Sequence, residues 1–193
     1  GINIKLIEGE KYVQKKYVNS KKFIGPSSYT LQMENIMPLN DDMNVPNIRK
    51  DYVVTDKADG ERRLMFIDPA GKIYLISPNM DVIFTGSVTE NKVCFNSLFD
   101  GELILHNKNH QFINLFAVFD AYFMNGTDVR QERFMLDLDV DDEKTLYRYK
   151  IVTNMITLLQ PISIIKGEMS PMIFQSKKFY PESMRSSNDD GIP

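Results

Sequence analysis

The sequence has a single cysteine, Cys94, and no tryptophan. One cysteine excludes an internal disulfide and favours either a reducing compartment or indifference to redox conditions. No apolar run approaches the ~20 residues that a helix needs to cross a bilayer, and no secretory leader is visible. These absences predict a protein that acts in the cytoplasm or the nucleus, without separating the two, and that does not bind membranes.

An excess of basic charge is also absent. The 193 residues carry 23 lysines and arginines against 26 aspartates and glutamates, for a net charge of −3 at pH 7. This balance excludes the global basic field that marks a constitutive nucleic-acid binder. Paired lysines, such as Lys177 and Lys178, can still make a local groove basic.

The chain begins with Gly1 rather than methionine and stops at Gly191-Ile192-Pro193. Both ends look like cuts, so we expect a fragment of a longer polypeptide. Its length suffices for one domain with a core. We divide it into a connector, or lead-in, over residues 1–27 and a domain over residues 28–193.

Short apolar segments separated by turn residues predict an antiparallel meander. The predicted strands are 52–55, 64–67, 73–76, 82–85, 103–106, 112–119, 162–165 and 172–174. Helices are predicted over 128–137 and 143–160, and Pro161 ends the second. The second helix carries one apolar face, formed by Tyr147, Ile151, Met155 and Leu158. The predicted class is therefore α+β, mainly antiparallel, with helices on the outside.

Several familiar ligand patterns are incomplete in this sequence. The aspartates of 137-DLDVDDE-143 are spaced as in a calcium loop but lack its glycine and its final glutamate. His106 and His110 lie in a stretch with loop character that offers no third ligand, which disfavours zinc. Neither a P-loop nor a G-x-G-x-x-G motif occurs. We predict that the lone Cys94 is a core thiol.

A charged cluster lies in 52-YVVTDKADGERRLMFI-67. In an extended chain Lys57 and Asp59 point to one side and Arg62 returns to that face. A lysine attacks phosphorus only as the neutral amine, and its reference pKa is ~10.4. We expect Arg62, Arg63 and a bound metal ion to lower that pKa. By itself the cluster is also typical of a charged hairpin, because Asp-Gly is a common turn.

Two later segments place acidic residues in strands that otherwise resemble core. In 98-LFDGELIL-105, Asp100 and Glu102 share one face, and burying two carboxylates is costly unless they have ligands. In 114-NLFAVFDAYFMNG-126, a very apolar strand holds Asp120 and ends in Asn-Gly. The order of the three segments along the chain, more than any one of them, indicates a functional site.

Taken in that order, the segments resemble the motifs of the covalent nucleotidyltransferase superfamily of mRNA capping enzymes and polynucleotide ligases. The matching stretches are 57-KADGER-62 for the nucleophile motif, 99-FDGEL-103 for the second acidic motif and 116-FAVFDAYFMNG-126 for the aromatic–acidic motif. The third stretch and 177-KKFY-180 look more like guanylyltransferases than ligases. The stretch 23-FIGP-26 looks like the multifunctional capping enzymes of large cytoplasmic DNA viruses. The resemblance covers about residues 28–180.

The resemblance implies the nucleotidyltransferase fold of DNA ligases and mRNA capping enzymes, with antiparallel sheets flanked by helices around a nucleotide cleft. The lysine-rich motif and the C-terminal OB-fold lid of the family are missing from these residues. For 190-DGI-192, a loop is favoured over the family's further acidic motif. We therefore expect the domain over 28–193 to be truncated before its last motifs, which leaves open that the fragment alone is inactive.

The activity that the resemblance implies is mRNA guanylyl transfer. Lys57 would attack the α-phosphate of GTP, expel pyrophosphate and pass GMP from lysyl-GMP to the 5′-diphosphate end of RNA. The residues implied to bind the nucleotide are Asp59, Gly60, Arg62, Glu102, Phe119, which would stack on the base, and Lys177, with Lys178 as its alternative. Asp120 and Glu102 would serve the metal, Mg²⁺ or Mn²⁺.

The implied partners are GTP, 5′-diphosphate RNA, and triphosphatase and methyltransferase regions of the same polypeptide, with no membrane. A viral capping enzyme would act in the host cytoplasm or the virion. Two alternatives stay open. One is an ATP-dependent polynucleotide ligase that forms lysyl-AMP, and the other is a non-catalytic scaffold of the same fold.

Overall fold

The computed structural model of the chain describes residues 3–5, 23–26, 29–38, 45–49, 52–135, 145–165 and 171–180. Two sequence interpretations, the incomplete calcium pattern at 137–143 and the acidic segment at 190–192, lie outside these residues. Within the described ranges, no helix combines the length and the apolar character needed to cross a bilayer.

The described residues form nine strands, two short 3₁₀ turns and one α-helix. The strands are β1 (Asn3–Lys5), β2 (Glu61–Ile67), β3 (Lys72–Ile76), β4 (Asp81–Val88), β5 (Ser97–His106), β6 (Phe112–Met124), β7 (Thr127–Asp128), β8 (Ile162–Ser163) and β9 (Ile173–Ser176). The 3₁₀ turns are Met33–Asn35 and Lys92–Cys94, and the helix α1 is Arg148–Leu159.

The strands join one sheet in the order β1-β4-β3-β2-β5-β6-β7. The steps from β4 through β3, β2 and β5 to β6 are all antiparallel, as predicted. The predicted meander holds for β2-β3-β4 and for β5-β6, but it is wrong between them, because the chain crosses from β4 to the other side of β2, where β5 pairs. The predicted turn between β2 and β3 is also confirmed. Asp68 accepts the backbone N–H groups of Ala70 and Lys72 at 2.8 and 2.9 Å, and Gly71 has a φ of 79°, a conformation that favours glycine.

Two parallel pairings extend this sheet. The backbone of β1 pairs with β4, so residues of the predicted lead-in take part in the sheet, although the boundary at residue 27 stays a prediction. Strand β9 pairs with β6, and directly after it the N–H of Lys177 donates to the carbonyl of Val118 at 2.7 Å. This pairing carries the segment after β9 to the part of the sheet where β5 and β6 lie.

Helix α1 covers one face of the sheet and packs against β6 and β9. Its buried residues are Ile151, Val152, Met155 and Leu159, which join the core formed by the strands. The sequence predicted Leu158 rather than Leu159 on this face, and that is wrong, since Leu158 is 38% exposed and Leu159 is fully buried. The helix ends before Pro161 as predicted, with Gln160 left-handed at φ 37°.

Three predicted elements differ from the structure. No helix forms over the described residues 128–135, because Asp128 caps the N–H of Arg130 and Val129 donates to Tyr122 of the sheet. The strand predicted at 52–55 is a single bridge between Val54 and Tyr180. The strand predicted at 162–165 is only the two residues of β8. The mainly antiparallel sheet is confirmed, whereas the expected outer helices amount to α1 alone within the described residues.

The neighbouring leucines at the end of α1 test which face of the helix is buried. We expect Leu159→Ala to lower the free energy of unfolding by about 2–5 kcal/mol, because it opens a cavity in the core. We expect Leu158→Ala, the matched control, to cost less than about 1 kcal/mol, because that side chain is partly in water. Urea unfolding of both variants measures the difference, and equal losses would contradict the assigned face.

Candidate active site

An open cleft of about 610 Å³ lies where the segment before β2, the end of β5 and the segment after β9 meet. Its lining includes five residues that the sequence singled out, namely Lys57, Asp59, Gly60, Glu102 and Lys177. The remaining lining residues are Ala58, Glu61, Leu103, Leu105 and His106. Three segments that are distant in sequence therefore contribute charged side chains to one concave surface.

Gly60 allows the segment before β2 to pass close to β5. Its N–H donates to Oε1 of Glu102 at 3.0 Å. A Cβ at this position would lie 2.5 Å from the carbonyl oxygen of Leu103 and 2.8 Å from Cγ of Glu102. The glycine is therefore required by close approach, and the same contact orients Glu102 in the cleft.

Lys57 and Asp59 form an ion pair at the mouth of the cleft. Nζ lies 2.9 Å from Oδ1, and the side chains are 87% and 96% exposed, so water screens the pair. The hydrogen bond and the charge of Asp59 raise the pKa of Lys57, and the hydrogen bond from Lys57 in turn lowers the pKa of Asp59. In this arrangement Lys57 is a protonated ammonium.

The expectation that neighbouring arginines lower the pKa of Lys57 is wrong for this arrangement. Arg62 is paired with Asp100, and Arg63 is paired with Glu61, so a carboxylate offsets each positive charge. Asp59 is the charge that acts on the amine at hydrogen-bonding distance. The sign of the pKa change therefore follows the nearest partner rather than the count of nearby cations.

Arg62 holds Asp100 in the interior of the sheet. Nε donates to Oδ1 at 3.1 Å, Nη2 donates to Oδ2 at 2.5 Å, and Asp100 has no exposed surface. The hydroxyl of Tyr122 donates to Oδ2 at 2.5 Å, and burial together with this bond raises the pKa of Tyr122. We expected a buried carboxylate to have ligands, and those of Asp100 are an arginine of β2 and a tyrosine of β6.

The same arginine also contacts the lead-in. Its Nη1 donates to the carbonyl oxygen of Pro26 at 2.5 Å, and its guanidinium lies 5.4 Å from the ring centroid of Phe23. A side chain at Gly25 would approach Nη2 to 2.8 Å. Arg62 therefore binds the segment before residue 27 to β2 and β5.

Asp120 lies on β6, outside the residues that line the cleft, and is paired with Arg148 at the start of α1. Arg148 Nε donates to Oδ1 at 2.7 Å, and Nη1 donates to the carbonyl of Glu132 at 2.5 Å. Both side chains of the pair are mostly buried, at 20% exposure for Arg148 and 15% for Asp120. The carboxylate predicted to serve a metal thus joins helix to sheet here.

Phe119 lies outside the residues that line the cleft, next to Lys177. Nζ of Lys177 lies 6.0 Å from the centroid of the Phe119 ring, at the outer limit of a cation–π contact. Lys177 also lines the cleft. The ring expected to stack on the base and the lysine expected among the nucleotide contacts therefore lie next to each other.

Several residues of the site were not found from the sequence. Tyr122 could have been, because it follows Asp120 by two positions in a strand and so shares its face. Phe23, Arg148 and the cleft residue Leu105 carry no such pattern, since only the tertiary pairing brings them to the site. The prediction that Cys94 is a core thiol is confirmed, because it is fully buried and burial raises its pKa.

Comparison with known proteins adds to this geometry. A family model described as the mRNA capping enzyme, catalytic domain, matches residues 7–188. A protein of Acanthamoeba polyphaga mimivirus named "Probable mRNA-capping enzyme" is 39% identical over 102 residues, which is 53% of this chain. The matched part spans 8% of the length of that relative. The similarity to capping enzymes of large DNA viruses that the motifs indicated is thereby confirmed.

The ion pair at the cleft mouth predicts how Lys57 responds to the loss of its partner. We expect Asp59→Asn to lower the pKa of Lys57, because the carboxylate that stabilises the ammonium is gone. At any pH below that pKa, more of the amine is then neutral. An amine-reactive reagent followed by peptide mass spectrometry should label Lys57 faster in the variant, while the exposed Lys92 reacts equally in both proteins. An unchanged Lys57 rate would contradict the pairing.

The buried Arg62–Asp100 pair predicts a loss of stability when its charge is removed. Asp100→Asn leaves the partly buried Arg62 without a counter-charge, so we expect the free energy of unfolding to fall by about 3 kcal/mol. This value is at the low end of the range for breaking a buried ion pair, because Arg62 keeps some access to water. Asp128→Asn, which breaks the exposed pair with Arg130, is the control and should leave the unfolding midpoint near that of the wild type. Equal midpoints for both variants would refute the assignment.

Proposed function

The chain belongs to the family of mRNA capping enzyme catalytic domains, and we propose that it is an RNA guanylyltransferase that acts through Lys57. The observation that carries the proposal is the meeting of Lys57, Glu102 and Lys177 in one cleft. Family membership implies the nucleotidyltransferase fold, with this cleft as the nucleotide site. The sheet of the described residues supports that fold in its antiparallel core.

The proposed reaction has two steps at one phosphorus atom. The lone pair of neutral Lys57 Nζ attacks the α-phosphorus of GTP, a P–N bond forms, and the bond from the α-phosphorus to the bridging oxygen breaks to release pyrophosphate. The attacking nitrogen gives up one of its two protons to solvent in this step. The terminal phosphate oxygen of a 5′-diphosphate RNA then attacks the same phosphorus. The P–N bond breaks, GMP joins the RNA, and the amine takes up a proton.

Activation of Lys57 requires that its ion pair with Asp59 be broken. An ammonium has no lone pair for attack, and Asp59 favours the ammonium form. We assign to the ribose hydroxyls of GTP the role of replacing Lys57 as hydrogen-bond donors to Asp59. Exclusion of water by the bound nucleotide would then favour the neutral amine.

The remaining nucleotide contacts are assigned to residues that line the cleft or lie next to it. Glu102, oriented by the N–H of Gly60, would accept from ribose, while Phe119 would stack on guanine with Lys177 beside it. Arg62 contributes less directly, because its described contacts use three of its five N–H donors. We propose that Arg62 serves the nucleotide mainly by fixing β2, on which the nucleophile segment depends.

Mg²⁺ or Mn²⁺ would supply charge compensation for the departing pyrophosphate. Within the described ranges, no group of three or more potential ligands could hold a metal by itself. Such a cage is unnecessary, because Mg²⁺ commonly binds through one or two carboxylates together with substrate phosphates. Glu102 fits that role, whereas Asp120 would first have to leave Arg148.

The wider assignments are proposals of the same kind. They comprise the division into a lead-in over 1–27 and a domain over 28–193, triphosphatase and methyltransferase regions in the same polypeptide, and action in the host cytoplasm or virion. Retention of Lys57, Asp59, Arg62, Glu102 and Asp120 favours an active enzyme over a scaffold. The ligase alternative shares the lysine chemistry and differs in the nucleotide transferred.

Incubation of the full-length natural polypeptide with magnesium and α-labelled GTP tests the proposal. We expect covalent label on the wild-type protein and a loss of at least a hundredfold in Lys57→Ala, because no other group replaces the nucleophile. Lys72→Ala, which truncates an exposed lysine of β3, is the matched control and should label normally.

A parallel reaction with α-labelled ATP separates the alternatives. Label from ATP only would overturn guanylyl transfer in favour of ligation. No label from either nucleotide in a folded protein would support the scaffold instead. Label that survives Lys57→Ala would show that the nucleophile is misassigned.

A further inference from the structure

The hairpin that joins β5 to β6 stands beside the cleft and has no part in the attack by Lys57. His106, the last residue of β5, lines the cleft and is paired in register with Phe112, the first residue of β6. Their rings meet edge to face with centroids 5.7 Å apart. Phe112 is nevertheless 53% exposed, so a large aromatic surface faces solvent at the rim of the cleft.

The hairpin differs from the rest of the cleft in having no acidic residue. The segment 105-LHNKNHQF-112 contains Lys108 and no carboxylate, whereas the other charged residues that line the cleft are Lys57 and Lys177 together with Asp59, Glu61 and Glu102. The pKa of Asp59 is lowered mainly by Lys57 and, to a smaller extent, by the charge of Lys108, which places that lysine within electrostatic reach of the cleft mouth. An anionic chain is therefore attracted to the hairpin side.

The hairpin is held in one conformation by its own hydrogen bonds. Oδ1 of Asn107 accepts the N–H groups of Asn109 and Gln111 at 2.9 and 3.0 Å. Nδ2 of Asn107 donates to Oε1 of Gln111 at 2.8 Å. A ligand that binds Phe112 and Lys108 would thus meet a surface that is already ordered, which reduces the entropy lost on binding.

We propose that the hairpin Leu105–Phe112 is the acceptor site for the 5′ end of the RNA, with the first unpaired base stacked on Phe112 and a backbone phosphate near Lys108. This inference rests on the proposed guanylyl transfer and extends it to the second step. Stacking on an aromatic ring accepts any base, and a lysine at a phosphate adds no sequence preference. Such contacts suit an enzyme whose substrates share a 5′ end but no common sequence.

The two half-reactions test this site separately. In the full-length polypeptide, Lys108→Ala/Phe112→Ala should form the covalent GMP adduct at the wild-type rate. Its half-maximal concentration of 5′-diphosphate RNA for transfer should rise by about tenfold or more, the size expected for loss of one stacked base. The matched control is Lys92→Ala/Val93→Ala, which truncates an exposed lysine and an exposed apolar residue of the 3₁₀ turn. It should transfer GMP as the wild type does.

Three further measurements separate loss of the acceptor site from other effects of the variants. Pyrophosphate, which has no base to stack, should discharge the adduct equally in all variants. Phe112→Trp, unlike the change to alanine, should keep GMP transfer at the wild-type level, because an indole also offers a face for stacking. Lys108→Ala alone should reduce the slope of log affinity against log salt by about 0.7, the value for one phosphate contact to a single strand.

Two outcomes overturn the inference and are distinguishable. If GMP passes from the adduct to RNA with the same dependence on RNA concentration in both double variants, the acceptor site is refuted and guanylyl transfer is not. Absence of an adduct from GTP in the wild type would refute guanylyl transfer and this inference together.

Discussion

The pairing of Arg62 with Asp100 is the interaction on which the rest of the site depends. A carboxylate without exposed surface inside a sheet would be prohibitively costly if it had no ligands. Arg62 and Tyr122 supply them from the two strands on either side of β5. Because Arg62 also reaches Pro26, one guanidinium joins β2, β5 and the lead-in. The segment that carries Lys57 directly precedes β2, so its position depends on this charge pair.

The fold could be predicted where local chemistry and periodicity agree. The antiparallel strands from β2 to β6 follow from apolar segments separated by Gly, Pro and Asn turns, although the crossover that places β5 beside β2 was not predicted. The helix at Arg148–Leu159 follows from helical spacing before a proline. The prediction was wrong where tertiary contacts decide. Over 128–135 the Asp128 cap and the bond from Val129 to Tyr122 outweigh a helical pattern. At the end of α1, the predicted apolar face was wrong by one residue, because Leu159 is buried and Leu158 is exposed.

The membership of the candidate site could be predicted in part, since Arg62, Phe119 and Asp120 lie outside the residues that line the cleft, and its internal pairing could not. Lys57, Gly60 and Glu102 were found from motif order, and they do meet in one cleft. The partners of the charges were not found. Tyr122 could have been inferred from its spacing to Asp120, whereas Arg148 is brought in only by the placement of α1. That gap explains the error about Lys57. Counting cations nearby predicts a lowered pKa, whereas Arg62 and Arg63 are each neutralised and Asp59 acts alone at hydrogen-bonding distance.

The distribution of charge around the cleft suggests how one lysine can serve two anionic substrates in turn. In the cleft, Lys57 offsets Asp59, Arg63 offsets Glu61, and Lys177 adds a positive charge to the lining that also holds Glu102, so charges of both signs meet there. The hairpin beyond Leu105 carries Lys108 and no acidic residue. The acceptor site proposed above would therefore place the RNA phosphates where no carboxylate of the hairpin opposes them. If ribose hydroxyls take over the contact to Asp59 as proposed, nucleotide binding also releases the amine, which couples occupancy of the cleft to the reactivity of Lys57.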